Sequence, residues 1–332
     1  MRTLAAIRDA GARPQEIVLA PLGLDDVERL IADALHCEPR SAGPLALLVH
    51  EKTGGNPFFA IQLLTALVEE GLLRFDRDAA AWVWDLDRIR AKRYSDSVVD
   101  LMLGKLRRLP HPTQTALQQL ACLGNVAGIA TLGVVFGQSE DEIHAPLWDA
   151  VGIGLILRLE RSYAFLHDRV QEAAYLLIPE QLRAQTHLRI GRILAESTPQ
   201  ERLEDAIFDI VNQLNRGSHL ITDVGERERV ASLNLIAGKR AKASTAYASA
   251  LNYLHAGRSL LSEEAWDRNY DLIFSIESLL AECELLTADM AAAERRLTML
   301  AQRSRTRHDL AVVTRLQVTL YTTLDRSDRA IE

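Results

Sequence analysis

The sequence predicts a mainly α-helical protein, and three observations indicate it. Apolar residues recur at helical spacing through most of the 332 residues, strand-like segments are few, and the C-terminal part repeats as helix–turn–helix units. A chain of this length is expected to form two or three compact units. We therefore predict a set of small helical domains followed by an array of helical hairpins.

The first strand-like segment covers residues 16–20, between Pro14 and Pro21. No partner strand or βαβ unit surrounds it, so we expect the chain to begin part-way through a domain. An amphipathic helix is predicted over residues 23–37, because apolar residues follow helical spacing there. Its predicted apolar stripe consists of Val27, Leu30, Ile31, Ala34 and Leu35.

A second helix is predicted over residues 43–53, and the glycines at 54 and 55 end it. Glycine accepts the left-handed conformation that follows many helices. Asn56 then suits the cap of a third helix, and Pro57 suits its first residue. A small β-hairpin is predicted from residues 72–75 and 81–84, and a further helix from Ser95 to Pro110.

Residues 111–168 predict a winged helix, which consists of three helices and a terminal hairpin. The helices are placed near 113–123, 129–136 and 141–151, and the hairpin strands at 155–159 and 163–166. Everything after residue 168 is predicted helical. Residues 285–294 align with 323–332, about 38 residues later, and the second copy stops early, so we expect the chain to be cut at both ends.

Charge argues against nucleic-acid binding. The net charge is −7, and no lysine or arginine occurs between Arg108 and Arg158. The predicted third helix of the winged helix carries the carboxylates of Glu140, Asp141, Glu142 and Asp149, which would repel phosphates. A transcription regulator that reads DNA through this domain is therefore the least favoured function.

Other sequence features fit a cytoplasmic protein. No run approaches the ~18 apolar residues of a membrane span, and the N-terminus lacks a signal-peptide core. Cys37, Cys122 and Cys283 stand far apart in apolar helical surroundings, without the spacing of metal ligands. We expect buried thiols in a reducing compartment, and no metal site.

No complete active site is recognisable in the sequence. It lacks the phosphate-binding motif G-x-x-x-x-G-K-[ST], an apolar strand ending in paired acidic residues, the kinase motifs, a G-x-S-x-G elbow and H-E-x-x-H. We predict no catalytic residues, and the chain alone is not expected to be an enzyme.

Two short elements remain as candidate sites. Residues 54–59 form a well-capped turn between helices, or they hold Pro57 against a nucleotide base. At residues 166–169, Asp168 caps a helix with His167 as a bystander, or His167 donates to a phosphate at the helix N-terminus. A phospho-accepting histidine is disfavoured, because no proline follows it and it does not lie inside a long dimerisation helix.

These residues resemble the STAND class of AAA-related ATPases (signal-transduction ATPases with numerous domains). The chain resembles the part of bacterial multi-sensor histidine kinases that combines an ATPase with helical repeats. Some of these kinases also carry a serine/threonine kinase domain. The resemblance covers essentially the whole chain. The stretches that carry it are residues 17–35, 53–64, 165–179, 187–196, 211–217 and 233–254.

The resemblance implies a layout of five segments. They are the tail of an AAA-type nucleotide-binding core (1–22), a helical lid (23–92), a winged helix (93–168), a helical connector (169–225) and a truncated TPR-like repeat array (226–332). The implied fold class is mainly α, and the implied partners are the missing core, linked kinase domains and proteins on the repeats, with neither DNA nor membrane.

The resemblance also implies residue roles. Gly55, Asn56 and Pro57 match the family's G-x-P motif, whose proline packs on adenine. His167 matches the histidine that reads the β-phosphate of ADP; the preceding Leu166 replaces a methionine at a position expected to be apolar core. The implied cofactor is ATP or ADP, with Mg²⁺ only in the complete protein. The chain would then be the regulatory part of a nucleotide-dependent signalling switch; the alternative is a helical-repeat adaptor that binds no nucleotide.

Overall fold

The computed structural model describes residues 15, 17–92 and 97–325. The chain divides into two compact units, with the division between Arg108 and Leu109. Within the described residues there are 17 α-helices and five short strands, so the predicted mainly α fold class is confirmed. The predicted segment boundaries at 22, 92, 168 and 225 stay predictions.

The first unit contains five helices and one hairpin among its described residues. The elements are α1 (Leu24–Leu35), α2 (Pro39–Thr53), α3 (Pro57–Glu69), β1 (Leu73–Asp76), β2 (Ala81–Trp84), α4 (Leu86–Ala91) and α5 (Val98–Leu106). Side chains of α1, α2 and α3 form one apolar core, and Val98 and Leu101 of α5 pack against it. Thus α5, which the sequence grouped with the winged helix, packs in the first unit.

Three sequence predictions in this unit need correction. Residues 17–20 are irregular and exposed instead of a strand, because none of the described residues pairs with them; Glu16 lies outside the described part. Helix α2 begins at Pro39, four residues before its predicted start, with Pro44 inside it. On α1, Ala32 is buried and Ala34 is exposed, so the buried stripe is rotated toward Ala32 relative to the predicted one.

The hairpin matches its prediction and shows why it turns where it does. Leu73 pairs with Trp84 and Asp76 with Ala81 in an antiparallel register. The Oδ1 atom of Asp76 accepts hydrogen bonds from the backbone N–H groups of Asp78 and Ala79 at 3.0 and 3.1 Å. A short acidic side chain therefore holds the turn, as is common for aspartate.

The second unit starts with helices around a three-stranded sheet. The elements are α6 (His111–Leu123), β3 (Val126–Gly128), α7 (Ile129–Phe136), α8 (His144–Gly152), β4 (Ile156–Arg158) and β5 (Ser162–Phe165). The three helices and the hairpin confirm the predicted elements, but the sequence missed β3, which pairs with β5 on the side opposite β4. Because α8 begins at His144, three of the four carboxylates assigned to it lie in the preceding turn. The winged-helix assignment stays a prediction.

Helices make up the rest of the second unit. They are α9 (Asp168–Leu176), α10 (Glu180–Ser197), α11 (Leu203–Arg216), α12 (Val224–Ala243), α13 (Tyr247–Ser259), α14 (Ala265–Arg268), α15 (Tyr270–Leu286), α16 (Met290–Arg303) and α17 (Arg307–Thr323). One continuous apolar core runs through them from Ile178 to Leu320. Cys122 and Cys283 are buried in it, as predicted, and burial raises the pKa of both thiols to about 11.

The helical hairpins share one turn conformation. Thr245, Ala288 and Asp325 each follow the C-cap of a helix and have positive φ, at 59°, 63° and 55°. The next N–H reaches back to the last turn, from Ala246 to the Ala241 oxygen and from Asp289 to the Glu284 oxygen. This is the Schellman arrangement. The turns at Ala288 and Asp325 are 37 residues apart, one residue fewer than the internal repeat of the sequence predicted. Residues 326–332, which belong to the second copy of that repeat, lie outside the described part.

Among the described residues, no helix combines the length and apolar character that crossing a membrane requires.

Candidate functional site

The turn between α2 and α3 is built on two glycines and a cap. Gly54 ends α2 in the left-handed conformation (φ 57°), and its N–H donates to the His50 oxygen. Gly55 also has positive φ, at 75°. Asn56 accepts a hydrogen bond from the Phe59 N–H at 2.9 Å, which satisfies one of the free N–H groups that begin α3. The predicted stop and cap are confirmed.

Gly55 also touches the segment that precedes α1. The Leu22 N–H donates to the Gly55 oxygen at 2.8 Å. A Cβ atom on Gly55 would lie 2.1 Å from the Leu22 oxygen. Only glycine can therefore occupy this position. The turn joins the start of α3 to residues 17–23, and Pro57 lies exposed at the first position of α3. Its role against adenine stays a prediction.

His167 caps the N-terminus of α9. Its Nδ1 atom accepts a hydrogen bond from the Arg169 N–H at 3.1 Å. Asp168, predicted to be the cap, is instead the first helical residue, and its carboxylate contacts the His167 Nδ1. Imidazole can replace the carboxylate as a cap because its unprotonated nitrogen is an equivalent acceptor.

The cap constrains the proton on His167. When the ring is neutral and accepts from the Arg169 N–H at Nδ1, its proton is on Nε2, which is then a hydrogen-bond donor; the Asp168 carboxylate at the same Nδ1 instead favours a proton there. The ring is partly exposed, with 35 % of the side chain accessible. A donor next to a helix N-terminus suits an anion, although the exposed Asp168 carboxylate there opposes one. Leu166 is 45 % exposed, so its predicted place in the core is wrong: the buried face of β5 carries Tyr163 and Phe165 instead.

The candidate residues fall in different units. Gly55, Asn56 and Pro57 belong to the first unit, and His167 and Asp168 belong to the second. That they meet at one nucleotide stays a prediction.

The second unit also contains a buried polar chain that the sequence did not reveal. His187, which is 1 % exposed, donates from Nδ1 to the Gln213 Oε1 at 2.6 Å. Gln213 in turn donates to the Cys122 oxygen at 2.8 Å. The remaining ring nitrogen, Nε2, accepts from the Tyr175 hydroxyl at 3.0 Å. The chain ties α6, α9, α10 and α11 together and requires a neutral imidazole.

We expect His187 to make the protein less stable in mild acid. Burial lowers the pKa of His187, the Gln213 hydrogen bond opposes this, and the charge of Arg216 lowers it further. The pKa of a histidine in the unfolded chain is about 6.5. Below that pH the unfolded chain therefore binds a proton at His187 that the folded chain does not bind. The free energy of unfolding should fall as the pH drops through this value, by up to about 1.4 kcal/mol per pH unit.

Urea unfolding at pH 7.5 and 5.5 measures this effect. The drop in the free energy of unfolding between the two pH values should be smaller in His187→Gln, because glutamine cannot titrate. In His255→Gln, which replaces an exposed histidine of α13, the drop should equal that of wild type. An equal acid loss in wild type and His187→Gln would contradict the assignment.

A charged cluster lies inside the helical array. Glu277 and Glu284 of α15 are only 3 % and 4 % exposed. Arg296 of α16 contacts both, with its Nη2 2.7 Å from Glu284, and Arg258 of α13 donates to Glu277. Burial alone would lower the pKa of Arg296, but the hydrogen bond to Glu284 and the charges of both glutamates raise it above its usual value. The cluster joins the three helices α13, α15 and α16.

A sequence signal for this cluster existed. Glu277 and Glu284 occupy the same helical stripe as the apolar Ile273, Ile276 and Leu280. Charged residues on a buried stripe indicate interior ion pairs, because unpaired charges are costly to bury. The partners on the neighbouring helices were not readable from one sequence.

Comparison with known proteins gives one extensive sequence similarity. No protein-family model matches the chain. The chain is 27 % identical over 379 residues to hybrid signal transduction histidine kinase G of Dictyostelium discoideum. The alignment covers 96 % of this chain and 11 % of that kinase. A solved STAND protein with a tetratricopeptide repeat sensor from Pyrococcus horikoshii is 14 % identical, with a TM-score of 0.35, over 91 % of this chain and 44 % of that one. The kinase match thus spans nearly all of this chain and a small part of the kinase.

Proposed function

We propose that this chain is a regulatory segment of a larger signalling protein and takes part in a nucleotide-dependent switch. The likeness to a signal-transduction histidine kinase over 96 % of the chain carries the proposal. The mainly helical architecture, ending in stacked helical hairpins, suits a segment that receives a signal from a protein partner.

The proposed nucleotide contacts come from both units. ADP or ATP supplies an adenine ring and phosphate oxygens. Pro57 offers a rigid, exposed apolar ring at the start of α3, and Gly55 and Asn56 hold that start in place. His167 offers an Nε2–H donor to a phosphate oxygen. Pro57 suits the adenine ring and His167 suits a phosphate oxygen; because the sequence provides no phosphate-binding loop, the main phosphate and Mg²⁺ contacts belong to a further nucleotide-binding core.

Residues 17–19 support the existence of such a core. Ile17, Val18 and Leu19 are 78 %, 84 % and 89 % exposed, although all three are apolar and the β-branched Ile17 and Val18 favour strands. Three consecutive exposed apolar residues favour a segment that a partner domain covers. The hydrogen bond between Leu22 and Gly55 would couple the position of that segment directly to the Pro57 turn.

The proposed mechanism is a shift between two conformations. In the closed one, His167 donates to a phosphate and Pro57 covers the base; in the open one, neither contact forms. A signal on the helical array shifts the equilibrium by binding one conformation more tightly. Linked kinase domains, whose presence is part of the proposal, would respond to the change.

The decisive variant is His167→Asn in the full-length gene product. Asparagine keeps the helix cap through its Oδ1, so folding should be retained, and its amide N–H groups lie closer to the main chain than the imidazole Nε2, so they do not reach the same phosphate oxygen. We expect its ADP affinity, measured by calorimetry, to fall about tenfold or more, because a hydrogen bond to a charged group is lost. His167→Ala should lose affinity and thermal stability together, and His255→Asn should change neither.

Equal ADP affinity of wild type and His167→Asn would exclude the phosphate role of His167. If the full-length wild type bound no nucleotide at all, the alternative function, a helical-repeat adaptor, would replace the switch.

A further inference from the structure

Strand β3 has an open edge. In the sheet order β3–β5–β4 it pairs with β5 alone, and its other edge meets no strand within the described residues. Such an edge exposes backbone N–H and C=O groups that can pair with an added strand. Most proteins cover such an edge or prevent pairing with charged residues, prolines or bulges. The residues beside β3 therefore decide whether another strand can pair with its edge.

The flanking hydrogen bonds show which backbone groups face outward. The Phe165 N–H donates to the Asn125 oxygen, and the Ile129 N–H donates to the Arg161 oxygen, both at 2.9 Å. Residues 125 and 129 therefore direct their backbone groups toward β5. Antiparallel strands alternate between bonded and non-bonded pairs, so the groups of the even-numbered residues face away from β5.

The outward-facing residues are Val126 and Gly128, which form the non-bonded pairs with β5. The Gly128 oxygen is used at the start of α7, where Gly128 is the N-cap residue. The Val126 N–H, the Val126 C=O and the Gly128 N–H thus form a row of donor, acceptor and donor along the edge.

This edge lies in a groove. A cavity of 420 Å³ is lined by β3 on one side and by α11 on the other, and an adjoining cavity of 310 Å³ lies between α7 and α11. Thr131 and Asp209 line both cavities, so the two lie next to each other along α11. The groove therefore runs along α11, with the strand edge in one wall.

The facing wall is a polar stripe. Asp205, Asp209, Asn212 and Arg216 of α11 line the two cavities, at spacings of four, three and four residues. These spacings place them on one face of the helix. The stripe is about 17 Å long at 1.5 Å per residue, which matches about five residues of extended chain.

The charges of the stripe indicate the occupant. Asp209 is exposed, and none of the described residues forms an ion pair with it. The Asp205 carboxylate lies 3.7 Å from Arg240, and Arg202 lines the same cavity as Asp205. Arg202 and Arg216 lie toward the two ends of this lining, so a positively charged side chain is favoured between them, against Asp209.

We propose that this groove binds an extended peptide segment that carries a lysine or arginine, added as a strand to the open edge of β3. The backbone of the peptide pairs with Val126 and Gly128, and its basic side chain lies against Asp209. Main-chain pairing supplies affinity in this mode of recognition, and side-chain contacts supply specificity.

The test is a substitution that removes one edge donor without unfolding the strand. Gly128 has φ −67° and ψ 146°, which proline adopts readily. A Cβ atom there meets nothing closer than 3.8 Å. Gly128→Pro therefore deletes the outward N–H and fills its place with the ring, while Gly128→Ala keeps the N–H and serves as the matched control.

The probes are fluorescein-labelled hexapeptides of alternating valine and threonine with lysine, glutamate or alanine at the third position, and binding is followed by anisotropy with the whole chain. We expect the lysine peptide to bind most tightly. Gly128→Pro should weaken it at least about tenfold, and Gly128→Ala should not change it. Asp209→Asn should reduce the preference for lysine over alanine about fivefold, and hydrogen exchange at Val126 should slow when the peptide is present.

Two outcomes would overturn the proposal. One is the absence of saturable binding of the lysine peptide to wild type. The other is equal binding by Gly128→Pro and Gly128→Ala, both shown to be folded by circular dichroism.

Discussion

Replacing Gly55 with alanine is expected to lower the free energy of unfolding of the first unit by about 3–5 kcal/mol. Two costs add up. The residue has φ of 75°, which is unfavourable for any residue with a Cβ atom. That Cβ atom would also overlap the Leu22 oxygen at 2.1 Å, so the two backbone segments must separate and lose the bond between Leu22 and Gly55.

Gly54→Ala is the matched control for this prediction. Gly54 also has positive φ, at 57°, but a Cβ atom there meets nothing within 4 Å. We expect a cost of only about 1 kcal/mol, from the backbone conformation alone. Urea unfolding followed by far-UV circular dichroism measures both. Equal losses in the two variants would show that the contact with Leu22 does not matter.

The second large effect is expected at Glu277. Glu277→Gln keeps the shape of the side chain but removes the charge that both Arg258 and Arg296 contact. Removing one partner of a buried ion pair leaves the charge of the other uncompensated. We therefore expect the free energy of unfolding of the second unit to fall by about 3 kcal/mol. Fluorescence of the buried Trp266, which lies in the same array, can follow the unfolding.

Glu263→Gln tests whether burial causes this effect. Glu263 also contacts two arginines, Arg258 and Arg303, each at 2.9 Å, but its side chain is 66 % exposed. Solvent screens exposed ion pairs of this kind, so Glu263→Gln should lower the free energy of unfolding by less than about 1 kcal/mol. A comparable loss at both glutamates would contradict the view that the interior cluster holds the three helices together.

The sequence revealed those elements whose signal is local. The turn at residues 54–57 was predicted down to its cap, because the glycines, Asn56 and Pro57 act on their immediate neighbours. The hairpin β1–β2 was predicted for the same reason, from alternation on both sides of an aspartate turn.

Features that depend on distant residues were missed or misplaced. Strand β3 has three residues and becomes a strand only through its pairing with β5, and residues 17–20 have strand-forming side chains but no partner among the described residues. The cap of α9 was assigned to Asp168 because aspartate is the commoner cap, whereas His167 occupies the position. The partners of His187 and Glu277 come from helices far along the chain, and periodicity cannot identify them.

The most direct test of the proposed switch is hydrogen exchange of the full-length protein with and without ADP. We expect slower exchange of the Arg169 N–H, which donates to His167, and of the Phe59 N–H, which donates to Asn56. The Ala292 N–H, capped in the same way by Asp289 in the helical array, serves as the internal reference. Protection at both Arg169 and Phe59 on adding ADP would support nucleotide contacts at both motifs; unchanged exchange at both, with ADP bound, would contradict them.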